Sequence, residues 1–155
     1  MAETLAYLLT WTTYGTWLHG DPRGSVDRTN AGHGMAFHPP NPAWQDASRR
    51  RMKHPEVVLA DPQRELVKQA IREHCEFRQW QLIAWDCRSN HVHVLLRAND
   101  VCPERVMNEL KTYATRAMRR AELIGPDKVW TRGGSTRHIS SQRSLEAAME
   151  YVRSQ

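Results

Sequence analysis

The chain has no apolar run of the roughly 18 to 20 residues that a membrane span requires, and Met1-Ala2-Glu3-Thr4 lacks the basic stretch and apolar core of a signal peptide. No membrane partner is expected, and the expected location is cytoplasmic. Cysteine is scarce. Cys75, Cys87 and Cys102 are odd in number and share no C-x-x-C spacing, which argues against both a disulfide framework and a thiolate zinc site and leaves buried free thiols as the default. Internal repeats and low-complexity stretches are also missing. What is present, 155 residues of which 40% are hydrophobic and 25% charged, fits one domain, 1–155, built around a single core.

Charge is the first positive signal. The formal net charge is +5 and the excess is clustered, first at Arg49-Arg50-Arg51 with Lys53 and then at Lys111, Arg116, Arg119 and Arg120. Such a surface suits nucleic acid, and these seven residues other than Lys53 are the expected DNA contacts. Six tryptophans add aromatic surface. Trp80, Trp85 and Trp130 flank strand-like segments and read as core, whereas Trp11, Trp17 and Trp44 are freer to stack on bases.

The periodicity gives an α+β chain. Leu5 to Leu18, rich in aromatic and β-branched residues and interrupted at Gly15, reads as a strand leading into a turn. From His19 to about Val58 prolines and glycines crowd a long loop insertion, with a short helix expected around Pro42 to Lys53; His19, His33, His38 and His54 lie here at irregular spacing and read as surface residues. Asp61-Pro62 resembles an N-cap and first turn, opening a helix from Pro62 to about Glu76. Trp80–Asp86 and His91–Arg97 read as a hairpin about the Cys87–Asn90 turn. A second helix, to about Ala121, carries Val106, Met107, Leu110, Tyr113, Ala114 and Ala117 on one face and basic residues on the other. Short strands follow at Val129-Trp130 and Arg137-His138-Ile139, around Gly133-Gly134, and Ser144 opens a last helix through Gln155. This order predicts an antiparallel sheet with helices packed on it, close to the split βαβ or ferredoxin-like plan.

Within that plan the run Asn90-His91-Val92-His93-Val94-Leu95-Leu96 is the chemical centre. Residues i and i+2 of a strand share a face and lie about 6.6 to 6.8 Å apart, so two imidazoles can converge on one cation while Val92 and Val94 pack the other side. On the last helix Tyr151 and Gln155, four residues apart, share a face and can reach one site. A phenol, with a pKa of about 10, is a poor nucleophile at neutral pH. It becomes a plausible one toward a phosphodiester when a nearby cation polarises the phosphate. Imidazole pairs favour transition metals over Mg²⁺, so Mn²⁺ is expected to bind more tightly even if Mg²⁺ serves in cells.

Taken together, these segments resemble the HUH single-tyrosine transposases of insertion sequences and the REP-associated tyrosine transposases. The resemblance is carried by Leu9-Thr10-Trp11-Thr12, Asn90 to Leu96, Leu110-Lys111-Thr112-Tyr113, Trp130 with Arg132-Gly133-Gly134, and Tyr151-Val152-Arg153-Ser154-Gln155. It implies that His91, His93 and Gln155 are metal ligands, that the divalent ion is Mg²⁺ or Mn²⁺, and that Tyr151 is the nucleophile, with Tyr113 its rival. The implied reaction is cleavage and rejoining of single-stranded, hairpin-flanked DNA through a 5′-phosphotyrosine, and relatives often act as homodimers. The 19–58 segment departs from the compact insertion-sequence enzymes. Two other readings stand beside this one: a transposase-derived DNA-binding or regulatory protein, and a different HxH metal enzyme of cupin type, which would draw a further ligand such as His138 from a neighbouring strand.

Overall fold

The computed structural model describes residues 3–15 and 55–154. The segment read as a loop with a short helix, up to residue 54, together with Trp17, Trp44, Arg49, Arg50, Arg51 and the four histidines at 19, 33, 38 and 54, lies outside the described residues, as does Gln155.

Seven elements follow in order: β1 (Ala6–Thr12), α1 (Asp61–Arg78), β2 (Gln81–Cys87), β3 (His91–Arg97), α2 (Pro103–Arg120), β4 (Ser135–Ile139) and α3 (Gln142–Arg153). The strands form one antiparallel sheet in the order β2-β3-β1-β4. This is the βαββαβ ferredoxin-like arrangement expected from the sequence, with α3 added after β4. Several boundaries differ by a few residues. β1 ends at Thr12, beyond which Thr13 makes only an isolated bridge to Trp130, so Val129-Trp130 is not a strand. α1 is capped at Ala60 rather than Asp61, since the Gln63 side chain accepts a hydrogen bond from the Ala60 amide at 2.6 Å. α3 opens at Ser141, whose hydroxyl accepts from the Ser144 amide and satisfies one of the orphan donors of the first turn.

Strand alternation divides the core into two layers. Leu9 and Trp11 of β1 and Val92, Val94 and Leu96 of β3 point to one face, where Val67 and Ile71 of α1 and Val106, Leu110 and Met118 of α2 cover them. Ala6 and Leu8 of β1 and Leu95 of β3 point to the other, under Leu145, Ala148 and Val152 of α3. Each fully buried Val or Leu contributes about 1.5–3 kcal/mol, so the phase of β3 is fixed from both sides. A one-residue slip would flip every one of these side chains to the opposite face and turn the two histidines into the α1–α2 layer. α3 covers only part of its face. At one end of the sheet that face is polar, and His91 and His93 stand there.

Trp11, read as a base-stacking candidate, belongs instead to the core, 1% exposed and edge-on to Trp130 at 6.0 Å. The turn after Trp130 is held against β1 by close approach: a Cβ at Gly134 (φ +153) would fall 2.5 Å from the Thr10 carbonyl oxygen and 2.7 Å from Met107 Sδ. Gly134→Ala is therefore expected to destabilise the protein by about 2 kcal/mol or more, since both steric overlap and backbone strain act. Gly125→Ala, where an added Cβ meets nothing within 4 Å, should stay within about 0.5 kcal/mol of wild type in the same urea titration.

Candidate active site

β3 sets the two histidines and its neighbours orient them. His93 lies opposite Thr10 on β1 and Asp86 on β2, and His91 lies opposite Thr12, so all five side chains share the α3 face. Asn90 Oδ1 accepts a hydrogen bond from His91 Nδ1 at 2.8 Å, and Thr10 Oγ1 sits 2.9 Å from His93 Nδ1. The Asn90 oxygen makes Nδ1 the protonated nitrogen of His91 and leaves its lone pair on Nε2, the arrangement by which metal-binding histidines are usually fixed, and Thr10 Oγ1 can accept from His93 Nδ1 to hold that ring in the same way. Burial, and after it the neighbouring His91, push the His93 imidazole down to about 4 against the opposing effect of Asp86. His93 is thus neutral at physiological pH, the form a cation requires.

The ring centroids of His91 and His93 are 4.8 Å apart. Two imidazoles bound to one ion at angles between 90° and tetrahedral place their centroids about 4.5 to 5.3 Å apart for metal–nitrogen bonds of about 2.1 Å. The pair therefore fits a shared divalent ion. Among the described residues no group of three His, Cys, Asp or Glu side chains completes such a site.

Tyr151 projects from the last turn of α3 beside the buried stripe of Leu145, Ala148 and Val152. Its ring centroid is 5.1 Å from that of His93, at an interplanar angle of 72°, and the residue is 46% exposed. The structure thus brings Tyr151, His91 and His93 of one chain together. Tyr113 is elsewhere: it lies on α2, on the opposite face of the sheet, stacked on His74 at 4.1 Å with the Arg116 guanidinium 5.1 Å from its ring centre. His138 is also turned away, since it pairs with Tyr7, whose phase along β1 is opposite to that of Thr10. The open four-stranded sheet is not a jelly roll, which removes the architecture a cupin reading requires.

The basic helix differs from its sequence reading in one respect. Lys111, expected on a DNA-facing surface, is only 9% exposed, and its Nζ donates to the carbonyls of Gly133 (2.5 Å) and Thr131 (3.1 Å). Its ammonium is committed to backbone carbonyls. Arg119 is exposed but donates to the carbonyls of Gly125, Pro126 and Asp127. Arg116 and Arg120 are exposed on α2, across the sheet from the histidines. Thr10, Asn90 and Gly134 carried no assigned role in the sequence reading, yet they orient the rings or fix the strand that does so.

Burial, with a smaller contribution from the nearby Lys128, lowers the Lys111 amine from its usual value to about 8. Its folded-state pKa is then below the unfolded one. Between pH 8 and about 10.5 the unfolded chain binds the extra proton, so the cost of the buried ammonium is present below pH 8 and is relieved as pH rises through that window. Subtracting the stability of Lys111→Met from that of wild type across pH 7.5 to 10.5 should leave a difference that rises with pH. A flat difference would contradict the shift.

Comparison with known proteins bears on the fold and the family. The sequence profile described as "Transposase IS200 like" matches residues 50–155. No curated protein sequence matches the chain. A solved structure assigned as a transposase from Deinococcus radiodurans R1 superposes with a TM-score of 0.54 at 16% identity, covering 100% of this chain and 93% of that one. A REP-associated tyrosine transposase bound to a REP hairpin superposes with a TM-score of 0.56 at 13% identity, covering 98% of this chain and 66% of the other. At such identities the superpositions speak for the fold, and it is the profile, spanning α1 to α3, that decides the family: the chain belongs to the IS200-like transposases.

Proposed function

We propose that the protein is a single-stranded DNA transesterase that cleaves and rejoins DNA through a covalent 5′-phosphotyrosine on Tyr151. The observation that carries this reading is the 5.1 Å approach of the Tyr151 ring to His93 on the polar end of the α3 face. His91 and His93, with Gln155 as a third ligand, would hold a divalent ion, Mn²⁺ or Mg²⁺. When bound, that ion supplies charge stabilisation at the scissile phosphate.

The chain's own residues account for the rest. Thr10 and Asn90 hold the imidazoles in one orientation, so little reorganisation is needed as charge develops on phosphorus. Tyr151 sits half-exposed on a helix whose apolar stripe is anchored to the sheet, which fixes its Cα beside His93. The phenol oxygen forms the new P–O bond and gives its proton to solvent. The bond to the 3′ oxygen breaks and that oxygen takes a proton from solvent and leaves as a 3′-hydroxyl, while the phosphate stays on the 5′ side. Attack by a 3′-hydroxyl reverses the step and restores the tyrosine, which is how strands are rejoined.

The substrate class is single-stranded DNA flanked by hairpins, in keeping with the hairpin-bound relative. Tyr151 and His93 meet within one chain, so a homodimer is not needed to assemble these groups.

With a hairpin-bearing oligonucleotide and Mn²⁺, Tyr151→Phe should form no denaturant-resistant protein–DNA adduct, while Tyr113→Phe should form it as wild type does. An adduct mapped to Tyr113 would overturn the assignment. A transposase-derived binding protein would bind the oligonucleotide and cleave nothing. In a separate assay, Thr10→Val, which keeps the side-chain shape but removes the hydroxyl at His93, should lower cleavage about 10- to 100-fold. Undiminished cleavage in Thr10→Val would show that the hydroxyl does not orient the ring.

A further inference from the structure

We infer that the turn Thr131–Gly134 is a phosphate-binding element for the same DNA strand, made of the Arg132 guanidinium and the outward-facing amides of Arg132 and Gly134. The inference rests on the proposed function and adds a second contact to it.

The orientation of the turn follows from Lys111. Both the Thr131 and the Gly133 carbonyls point at Lys111 Nζ, which reaches them from α2. No peptide bond among the described residues is cis, and in a trans peptide the N–H points opposite to the C=O of the same plane. The N–H groups that share those planes, of Arg132 and Gly134, therefore point away from α2. That is the direction of the sheet face bearing His91 and His93. The glycines permit this geometry: Gly133 has φ +76 and Gly134 φ +153, values that a side chain disfavours.

Three further observations suit an anion. Arg132 is exposed and makes no hydrogen bond or ion pair with any described residue. A Cβ added at Gly133 meets nothing within 4 Å, so the outer side of the turn is open. The turn is anchored to the strand end that carries the site, because the Thr131 amide donates to the Thr12 carbonyl and the Thr131 hydroxyl to the Thr13 carbonyl, both at 2.9 Å. Thr12 is the cross-strand partner of His91. The turn flanks β1 on its β4 side, about two strand spacings, or about 10 Å, from the histidines. A strand whose scissile phosphate lies at the histidine pair can place a flanking phosphate there. Backbone amides with an arginine are a recurrent phosphate cradle.

The test uses the full chain with Tyr151→Phe, so that nothing is cleaved, and a single-stranded oligonucleotide as the probe. On titration followed by ¹H–¹⁵N NMR, the Arg132 and Gly134 amides should shift strongly. Arg132→Ala, a surface change that leaves folding intact, should reduce the log–log salt slope of binding by about 0.7, the share of one phosphate contact on a single strand. Lys111→Met should abolish the two amide shifts although Lys111 itself cannot reach the DNA. Binding with an unchanged salt slope in Arg132→Ala, or without shifts at these two amides, overturns the turn's role and leaves the proposed function standing. Failure of wild type to bind any single strand contradicts both.

Discussion

Everything in this fold that bears on chemistry depends on one strand being covered on both sides. β3 is central in the sheet, and its alternation is locked because Val92, Val94 and Leu96 are buried against α1 and α2 while Leu95 is buried under α3. The hydrophobic side of the alternation sets the phase, and His91 and His93 inherit their position from it. Cover on the second face adds Leu95 to that constraint and places the two imidazoles beside a packed helix rather than in open water. α3 completes the arrangement by covering the apolar half of that face and ending beside the polar half. The same buried stripe that docks the helix delivers Tyr151 to His93.

The electrostatics follow from the same packing. His93 is almost fully buried beside a second imidazole, and both circumstances oppose a positive charge on it. The ring stays neutral and donor-ready, while Thr10 consumes the hydrogen-bonding capacity of Nδ1. On the other side of the sheet a buried cation has a structural role. Lys111 ties α2 to the turn that follows Trp130, whose indole N–H in turn donates to the Lys111 carbonyl and the Thr115 hydroxyl. β1 lies between these two systems. Its Thr10 touches His93 through its side chain and crowds Gly134 through its carbonyl.

Long periodic elements are legible in the sequence because their burial is periodic too. β3 has the limits its pattern predicts, and the hairpin, the two long helices and α3 differ only by small shifts at their ends. The histidine face follows from strand spacing, whereas the expectation that Tyr151 belongs to the same site comes from the family resemblance. Lys111 is misplaced by its sequence pattern because a helical wheel shows only that it lies near basic neighbours, whereas its environment is set by a turn twenty residues later. Trp11 is misplaced for a similar reason: its alternation with Thr10 and Thr12 puts it on the apolar face of β1, but composition gives it no partner, and Trp130 meets it only in the fold. That same alternation is the available signal for Thr10, since two threonines in one phase of an otherwise apolar strand imply a polar patch on the face they share. No local pattern says which residue they meet, because the partner belongs to a strand some eighty positions away.

The most direct measurement is a crystal structure of Tyr151→Phe bound to a hairpin-bearing single strand and Mn²⁺, with the metal located by its anomalous scattering. The account requires one manganese bonded to Nε2 of both His91 and His93, with a DNA phosphate between it and the ring at position 151 of the same chain. Manganese away from the histidine pair, or a phosphate seated against Tyr113 on the far face of the sheet, would contradict it.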